Sequence, residues 1–469
     1  MTPFNNSLLG KDTICAVATA PGSGAIAIVR MSGKDSLPVL WKVFRPLSKK
    51  VSKENMESHK LYFGSIMDGD HEIDEVLVSW FKAPHSYTGE DSVEISCHGS
   101  IFIQQKIIEL LASHGVRMAE AGEFTKRAFL NGKMDLSQAE AVADLIASQS
   151  KMMHKVALNQ MRGGFSEKIA QLRQKLLEFA SLIELELDFS EEDVEFANRQ
   201  ELYVLISDLK SELSHLISSF QYGNVIKHGI PVAIIGKPNT GKSTLLNALL
   251  NEEKAIVSDI PGTTRDAIED TIVIDGYTFR FIDTAGLRES DDKVENMGIE
   301  RTYDKINEAS LILYVCDISL ANEESINEIL EEFKNYIQDD SKHFVLVGNK
   351  IDRLEEIPPH LKDLLDLDTV FVSAKRKENI HLLAETLVDK VKNNNLQDDI
   401  IVTNTRHFEA LSAALDSIIQ VETGLQNDLP GDLVAIDLRQ ALHFLGTVTG
   451  EITTNEILGS IFSKFCIGK

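Results

Sequence analysis

Hydrophobic and polar positions along this 469-residue chain change rhythm three times. Up to about residue 132, short β-branched runs alternate with glycine and proline punctuation. Ala25-Ile-Ala-Ile-Val29, Val76-Leu-Val-Ser-Trp80 and Val93-Glu-Ile-Ser96 read as strands, and Ile101 to His114 reads as a helix. The pattern predicts an α+β domain over residues 1–132. From 133 to 228 proline is absent and apolar residues recur at three- and four-residue intervals, as in Leu172, Leu176, Leu177, Ala180 and Ile183. That spacing predicts long amphipathic helices. The acidic run Glu184 to Glu195 reads as a solvated helix end. Strands then alternate with helices through residue 392, after the run Pro231-Val-Ala-Ile-Ile235. Helical spacing returns over 404–469, in Phe408, Leu411, Ala414, Leu415, Ile418 and Ile419. The simplest arrangement is a helical domain in two parts, 133–228 and 393–469, interrupted by an inserted α/β domain over 229–392, with Asn393 to Asp399 as the exit linker.

Composition narrows the class. A hydrophobic fraction of 43% and a charged fraction of 25% are those of a soluble globular protein. No apolar stretch of the ~18 residues a membrane helix requires occurs, and the first residues lack the charged and apolar regions of a secretory signal. The four cysteines (Cys15, Cys97, Cys316 and Cys466) stand far apart, which argues against a zinc site or a disulfide scaffold and for a cytoplasmic setting. The net charge of −25 is opposite in sign to that of a protein coating nucleic acid, so any RNA contact must be local.

The inserted domain carries the chemistry. The strand ending at Ile235 runs into Gly236-Lys-Pro-Asn239-Thr240-Gly241-Lys242-Ser243-Thr244, followed by the helical spacing Leu245, Leu246, Leu249. This is G-x-x-x-x-G-K-[ST] in its strand–loop–helix setting. Its backbone N–H groups cradle phosphates, Lys242 meets the β- and γ-phosphates, and the Ser243 hydroxyl ligates Mg²⁺. Thr263-Thr264 follows, with Thr264 placed to complete the magnesium shell. Asp283-Thr284-Ala285-Gly286 ends the strand Phe279 to Ile282; Asp283 holds magnesium through water and the Gly286 N–H senses the γ-phosphate. After the strand Phe344 to Val347 comes Asn349-Lys350-Ile351-Asp352. Its carboxylate matches the N1–H and N2–H₂ donors of guanine, which adenine lacks. Ser373-Ala374-Lys375 offers a backbone N–H to guanine O6. Five ordered elements specify a GTP-binding P-loop domain.

The residue after Asp283-x-x-Gly286 is Leu287, where Ras-like switches carry a water-orienting glutamine. Two other groups are candidates. Asn239 can offer its amide oxygen to a monovalent cation beside the phosphates, or it simply forms a turn. Glu295 can position water if its segment folds over the site, or it is a solvated charge.

With these motifs in place, the chain resembles the tRNA-modification GTPases called MnmE or TrmE over essentially its whole length. Outside the nucleotide motifs, the resemblance rests on Phe129-Leu-Asn-Gly-Lys-Met-Asp-Leu-Ser-Gln-Ala-Glu-Ala141 and on the tail Cys466-Ile-Gly-Lys469. It implies potassium bound by Asn239, Ser258, Ile260 and Thr263, magnesium by Ser243 and Thr264, and catalysis by Glu295 with Lys242. Ser258 and Pro261 differ from the residues often seen in that potassium loop, which backbone ligands tolerate. It implies that residues 1–132 form a folate-binding and dimerisation domain. Arg30, Glu94, Lys133 and Lys469 would hold a reduced folate (5-formyl- or 5,10-methylene-tetrahydrofolate), with Cys466 nearby as a functional or merely packed thiol. It further implies a homodimer that joins an FAD-dependent MnmG (GidA) family protein in a heterotetramer. Together they would modify carbon 5 of the tRNA wobble uridine, at position 34, to a (carboxymethyl)aminomethyl group. A ribosome-assembly or other regulatory GTPase is the alternative, and it lacks a visible RNA-binding appendage.

Overall fold

The computed structural model describes residues 12–188, 199–251, 270–282, 303, 306–339, 342–354, 368–392, 400–427, 429–463 and 465–468. The chain forms two compact units, one of residues 1–143, 159–199 and 420–469, the other of 144–158 and 200–419.

In the first unit, β1 (Ile14–Val17), β2 (Ile26–Ser32), β3 (Phe44–Pro46), β4 (Leu61–Asp68), β5 (His71–Phe81), β6 (Ser92–His98) and β7 (Arg117–Met118) form one sheet in the order β3-β4-β5-β6-β2-β1-β7. All neighbours are antiparallel except β1 and β7. Period-two alternation sorts the side chains. Ala27, Val29 and Met31 of β2 and Val93, Ile95 and Cys97 of β6 enter the core shared with α1 (Ser36–Val43) and α2 (Ile101–Ser113). The opposite face carries Arg30 directly across from Glu94, and Phe63 across from Leu77. On that face Leu61 and Ile26 are 69% and 66% exposed.

Helices α3 (Glu123–Leu130), α4 (Leu136–Ala147), α5 (Lys151–Met161) and α6 (Gly164–Asp188) follow. Asp135 Oδ1 accepts from Gln138 N at 2.9 Å and from the Ser137 hydroxyl at 2.9 Å, which fixes the start of α4. On α6, Leu172, Leu176, Ala180 and Ile183 are buried as the periodicity predicts. Leu177 is exposed, because one residue beyond Leu176 lies 100° around the helix from that stripe.

The second unit takes α5 and continues through α7 (Arg199–His228) into a six-stranded sheet. Its strands are β8 (Ile230–Ile235), β9 (Asp270–Ile274), β10 (Tyr277–Phe281), β11 (Leu311–Asp317), β12 (His343–Asn349) and β13 (Thr369–Val372), in the order β13-β12-β11-β8-β10-β9. Only β9 runs antiparallel. Near-continuous apolar strands such as Leu311 to Cys316 are buried on both faces, by α8 (Lys242–Leu250) and α10 (Ile380–Lys392) on one side and by α9 (Glu323–Glu332) on the other. Late in the chain come α11 (Thr405–Gln426), α12 (Gly431–Thr449), which packs along α6, and α13 (Asn455–Phe462), which packs on α3. On α11, Leu411, Ala414 and Ile418 are buried while Ile419 turns outward.

The chain end returns to the first sheet. Ile467 forms an antiparallel bridge with Ala121, and Gly468, at φ 98°, sits where an added Cβ would lie 2.3 Å from the Val17 carbonyl. Only glycine fits that approach.

Candidate functional site

Strands β8, β11, β12 and β13 are parallel, so their carboxyl ends open on one edge, the edge where open α/β sheets gather ligand loops. Residues 236–241 leave β8 there and enter α8. Gly236 (φ 143°) lies so near Val315 that a Cβ would sit 2.2 Å from its carbonyl oxygen, and Gly241 (φ 93°) opens the helix. Asn239 occupies a left-handed turn (φ 61°) and is exposed. The Lys242 ammonium folds back onto the loop and donates to the carbonyls of Gly236 (2.8 Å) and Lys237 (2.9 Å). Ser243 is half-buried in the first turn of α8 and Thr244 is exposed.

The loops expected to surround a guanine base meet this loop through the side chains of Asn349 and Lys350. Asn349, 2% exposed, donates from Nδ2 to the Thr240 carbonyl (2.8 Å). Its Oδ1 accepts from the N–H groups of Lys350 (2.8 Å) and Ala374 (3.0 Å). Lys350, itself left-handed at φ 72°, donates to the Asn239 carbonyl (2.5 Å) and to Asp317 Oδ2 (2.7 Å). Asp352 accepts from the buried Ser373 hydroxyl (2.7 Å), and that bond holds its carboxyl below the usual range. Ser373 and Ala374 are buried and Lys375 is exposed. Asn239, Thr240, Gly241, Lys242, Asn349, Lys350, Asp352, Ser373 and Ala374 thus form one connected cluster. Ser258, Ile260, Thr263, Thr264, Asp283, Thr284, Ala285, Gly286, Glu295 and Lys469 lie outside the described residues.

Sequence reasoning missed Asp317. Burial works to raise its pKa, yet hydrogen bonds from Lys350 and Ser319 outweigh that and hold it low, so it anchors Lys350 as an anion. The signal was available: Asp317 ends an apolar strand and pairs in register with Asn349.

In the other unit Arg30 and Glu94 form a two-point ion pair, Nε at 2.9 Å and Nη2 at 2.8 Å from Oε1, each side chain about a quarter exposed. The Tyr87 and Phe124 rings flank the guanidinium at 5.6 and 5.8 Å, a cation–π setting the sequence did not reveal. Lys133 donates to the Pro84 carbonyl (3.0 Å). The tail reaches the same strands: Gly468 abuts Val17, while Ala16 pairs with Arg30. Cys466 is exposed, whereas Cys15, Cys97 and Cys316 are buried with pKa values pushed up to about 11 by burial. Beside this site lies a charged knot. Arg127, 2% exposed, meets Glu123 (2.9 Å), Asp12 (3.0 Å) and Glu90 (3.2 Å), and Arg117 joins Glu123 at 2.7 Å. Among the described residues no helix is long and apolar enough to cross a membrane.

Comparison with known proteins agrees with this layout. A family model for the MnmE helical domain matches residues 136–466, and one for the GTP-binding protein TrmE N-terminus matches residues 13–133. The tRNA modification GTPase MnmE of Christiangramia forsetii is 54% identical over 474 residues, covering 98% of this chain and 99% of the relative. That of Bacteroides thetaiotaomicron is 51% identical over 469 residues, covering 98% and 100%. The solved G domain of the T. maritima FeoB iron transporter is 28% identical, covers 35% of this chain and 99% of its own, and has a TM-score of 0.26. Near-complete coverage at about half identity, with both family models matched, places the chain in the MnmE family of tRNA modification GTPases.

Proposed function

We propose that this chain couples GTP hydrolysis, dependent on magnesium and potassium, to modification of carbon 5 of the wobble uridine of certain tRNAs. In this reading it works in the cytoplasm, as a homodimer joined to an FAD-dependent MnmG (GidA) family partner. The observation that carries the nucleotide part is the buried Asn349, which ties the phosphate loop to both base-reading loops. In that frame the loop N–H groups receive phosphates, Lys242 swings from its two carbonyls to the β/γ-phosphates, and Asp352 accepts from the guanine N–H donors. Ser243 stands in the first turn of α8, where a hydroxyl fits magnesium; Thr264 and, through water, Asp283 would complete that shell. Asn239, Ser258, Ile260 and Thr263 would hold potassium, and Glu295 would position the attacking water.

Arg30, Glu94, Lys133 and Lys469 would bind a reduced folate, which supplies the one-carbon unit. The site fits such a ligand: an accessible ion pair offers a carboxylate to pterin N–H groups and a guanidinium to carboxylates, beside aromatic faces. The exposed apolar face around Leu61, Phe63, Leu77 and Ile26 supports pairing of two N-terminal sheets. Turnover measured in potassium and in sodium tests the mechanism. Potassium should accelerate hydrolysis, and Glu295→Ala should remove most turnover while sparing GTP affinity; equal rates in the two salts would refute the cation assignment. Normal wobble nucleosides in a deletion strain would refute the tRNA role.

A further inference from the structure

An RNA substrate must approach a chain of net charge −25, and at one edge of the first sheet the local balance is basic. Residues 34–60 hold seven Lys and Arg against three Asp and Glu. Lys42, Arg45, Lys49, Lys50 and Lys53 are exposed, and no ion pair among the described residues engages Lys42, Lys49, Lys50 or Lys53. The loop that follows β3 is internally fixed. Asn55 accepts from Ser52 N (2.7 Å) and donates to the Lys50 carbonyl (2.6 Å), Val51 N donates to the Ser48 carbonyl (3.1 Å), and Met56 is buried in the sheet core. The three loop lysines are therefore displayed by an ordered frame.

From these observations we propose that the β3 edge and its loop, through Lys49, Lys50 and Lys53 with Lys42 and Arg45, bind the phosphate backbone of the tRNA. The proposal rests on the tRNA reading above. A cation on an edge strand has a plainer use, blocking edge-to-edge pairing, but that accounts for Arg45 on the strand and not for the three lysines beyond it on the loop. The position also suits the chemistry. In the order β3-β4-β5-β6-β2 the edge lies four strand spacings, about 19 Å, from Arg30 and three from Glu94. At ~3.4 Å per stacked nucleotide that is about six steps along a strand. A base brought to a folate held at the ion pair thus leaves its flanking backbone within reach of the edge.

The test uses the full chain and an unmodified tRNA transcript, with affinity measured across a salt series. Replacing the three loop lysines by glutamine (K49Q/K50Q/K53Q) should flatten the plot of log affinity against log salt by about 2–3, since each lost phosphate contact is worth ~0.7–0.9. Affinity at low salt should fall by tenfold or more, the arginine triple variant should restore it, and GTP turnover should stay at the wild-type rate. A glutamine variant with wild-type affinity and slope overturns the proposed edge while leaving the tRNA reading intact. Wild-type chain that takes up no tRNA, either alone or with its FAD-dependent partner, overturns both. Loss of binding to vesicles of anionic phospholipid, with tRNA binding unchanged, would assign the edge to a membrane surface and overturn the RNA assignment.

Discussion

Replacing Asn349 by alanine should uncouple the nucleotide loops from one another. The side chain makes three hydrogen bonds at a position only 2% exposed. Alanine leaves the Thr240 carbonyl and the Ala374 N–H without partners; the Lys350 N–H, one residue along the chain, relaxes more easily. A buried polar group stranded in this way costs roughly 1–3 kcal/mol. Two such groups, eased by entering water, give about 2–3 kcal/mol. If the ordered arrangement must be rebuilt when nucleotide binds, that energy appears in the affinity as a roughly 30- to 150-fold rise in Kd. Calorimetric titration with GDP is the suitable assay, because a chain of two units has no single unfolding free energy to compare. Far-UV circular dichroism would verify that the variant is folded. A folded Asn349→Ala protein binding GDP within threefold of wild type would refute the idea that this residue organises the site.

Two further outcomes follow from the geometry. Asp352→Asn exchanges a two-oxygen anionic acceptor for a neutral amide with one acceptor oxygen, so GTP should weaken at least tenfold, as expected for losing a charge-assisted bond worth ~1.5–3 kcal/mol. Xanthosine triphosphate, whose carbonyl replaces the guanine amino group, should gain, and a competition assay in which GTP keeps its advantage would count against Asp352 as the base reader. The Arg127 knot should make the first unit acid-labile: burial works to raise the Glu123 pKa, but hydrogen bonds from Arg117, the Glu120 N–H and Arg127 outweigh it and leave it lowered. A depressed carboxyl stabilises fully above its unfolded value of ~4.3 and loses that contribution as pH falls through the folded value. Melting followed from pH 6 to 3 should show a steep loss of stability below pH ~4.3, and Glu123→Gln should make that slope shallower while costing about 1.5–3 kcal/mol at neutral pH, since Arg127 keeps Asp12 and Glu90. A wild-type melt that stays flat down to pH 3 would contradict this account.

The parts of the site legible in sequence are those whose chemistry is local. A phosphate loop needs glycine at Gly236 and Gly241 and a lysine at a fixed offset, and the flanking apolar strand and helix announce themselves by period. Faces were less legible: Leu177 and Ile419 joined the predicted stripes yet point outward, since a run of adjacent apolar residues does not say which one faces the core. Pairings across long sequence gaps were invisible to composition and period. The Arg30–Glu94 pair spans 64 residues and depends on the β2–β6 register. The bridge from Ala121 to Ile467 depends on how the chain end packs, and a glycine two residues after Cys466 is only a hint until Val17 is seen beside it. Resemblance supplied Arg30, Glu94 and the tail, and only the structure supplied Ala121 and Val17.

Asp317 and Asn349 suggest why the site can wait for its ligand. They are register partners at the ends of adjacent buried strands, and each spends its polar atoms on a loop rather than on its neighbour. Asp317 holds the ammonium of Lys350, whose left-handed backbone disfavours an L-residue by roughly 1–2 kcal/mol. The ion pair and the bond to the Asn239 carbonyl oppose that strain. The loops are therefore ordered by contacts with each other, so less ordering remains to be done when nucleotide arrives, and lowering that requirement is how a preformed site gains affinity. Removing the Asp317 carboxylate should accordingly loosen Lys350 and the phosphate loop together, although no atom of Asp317 needs to touch the nucleotide.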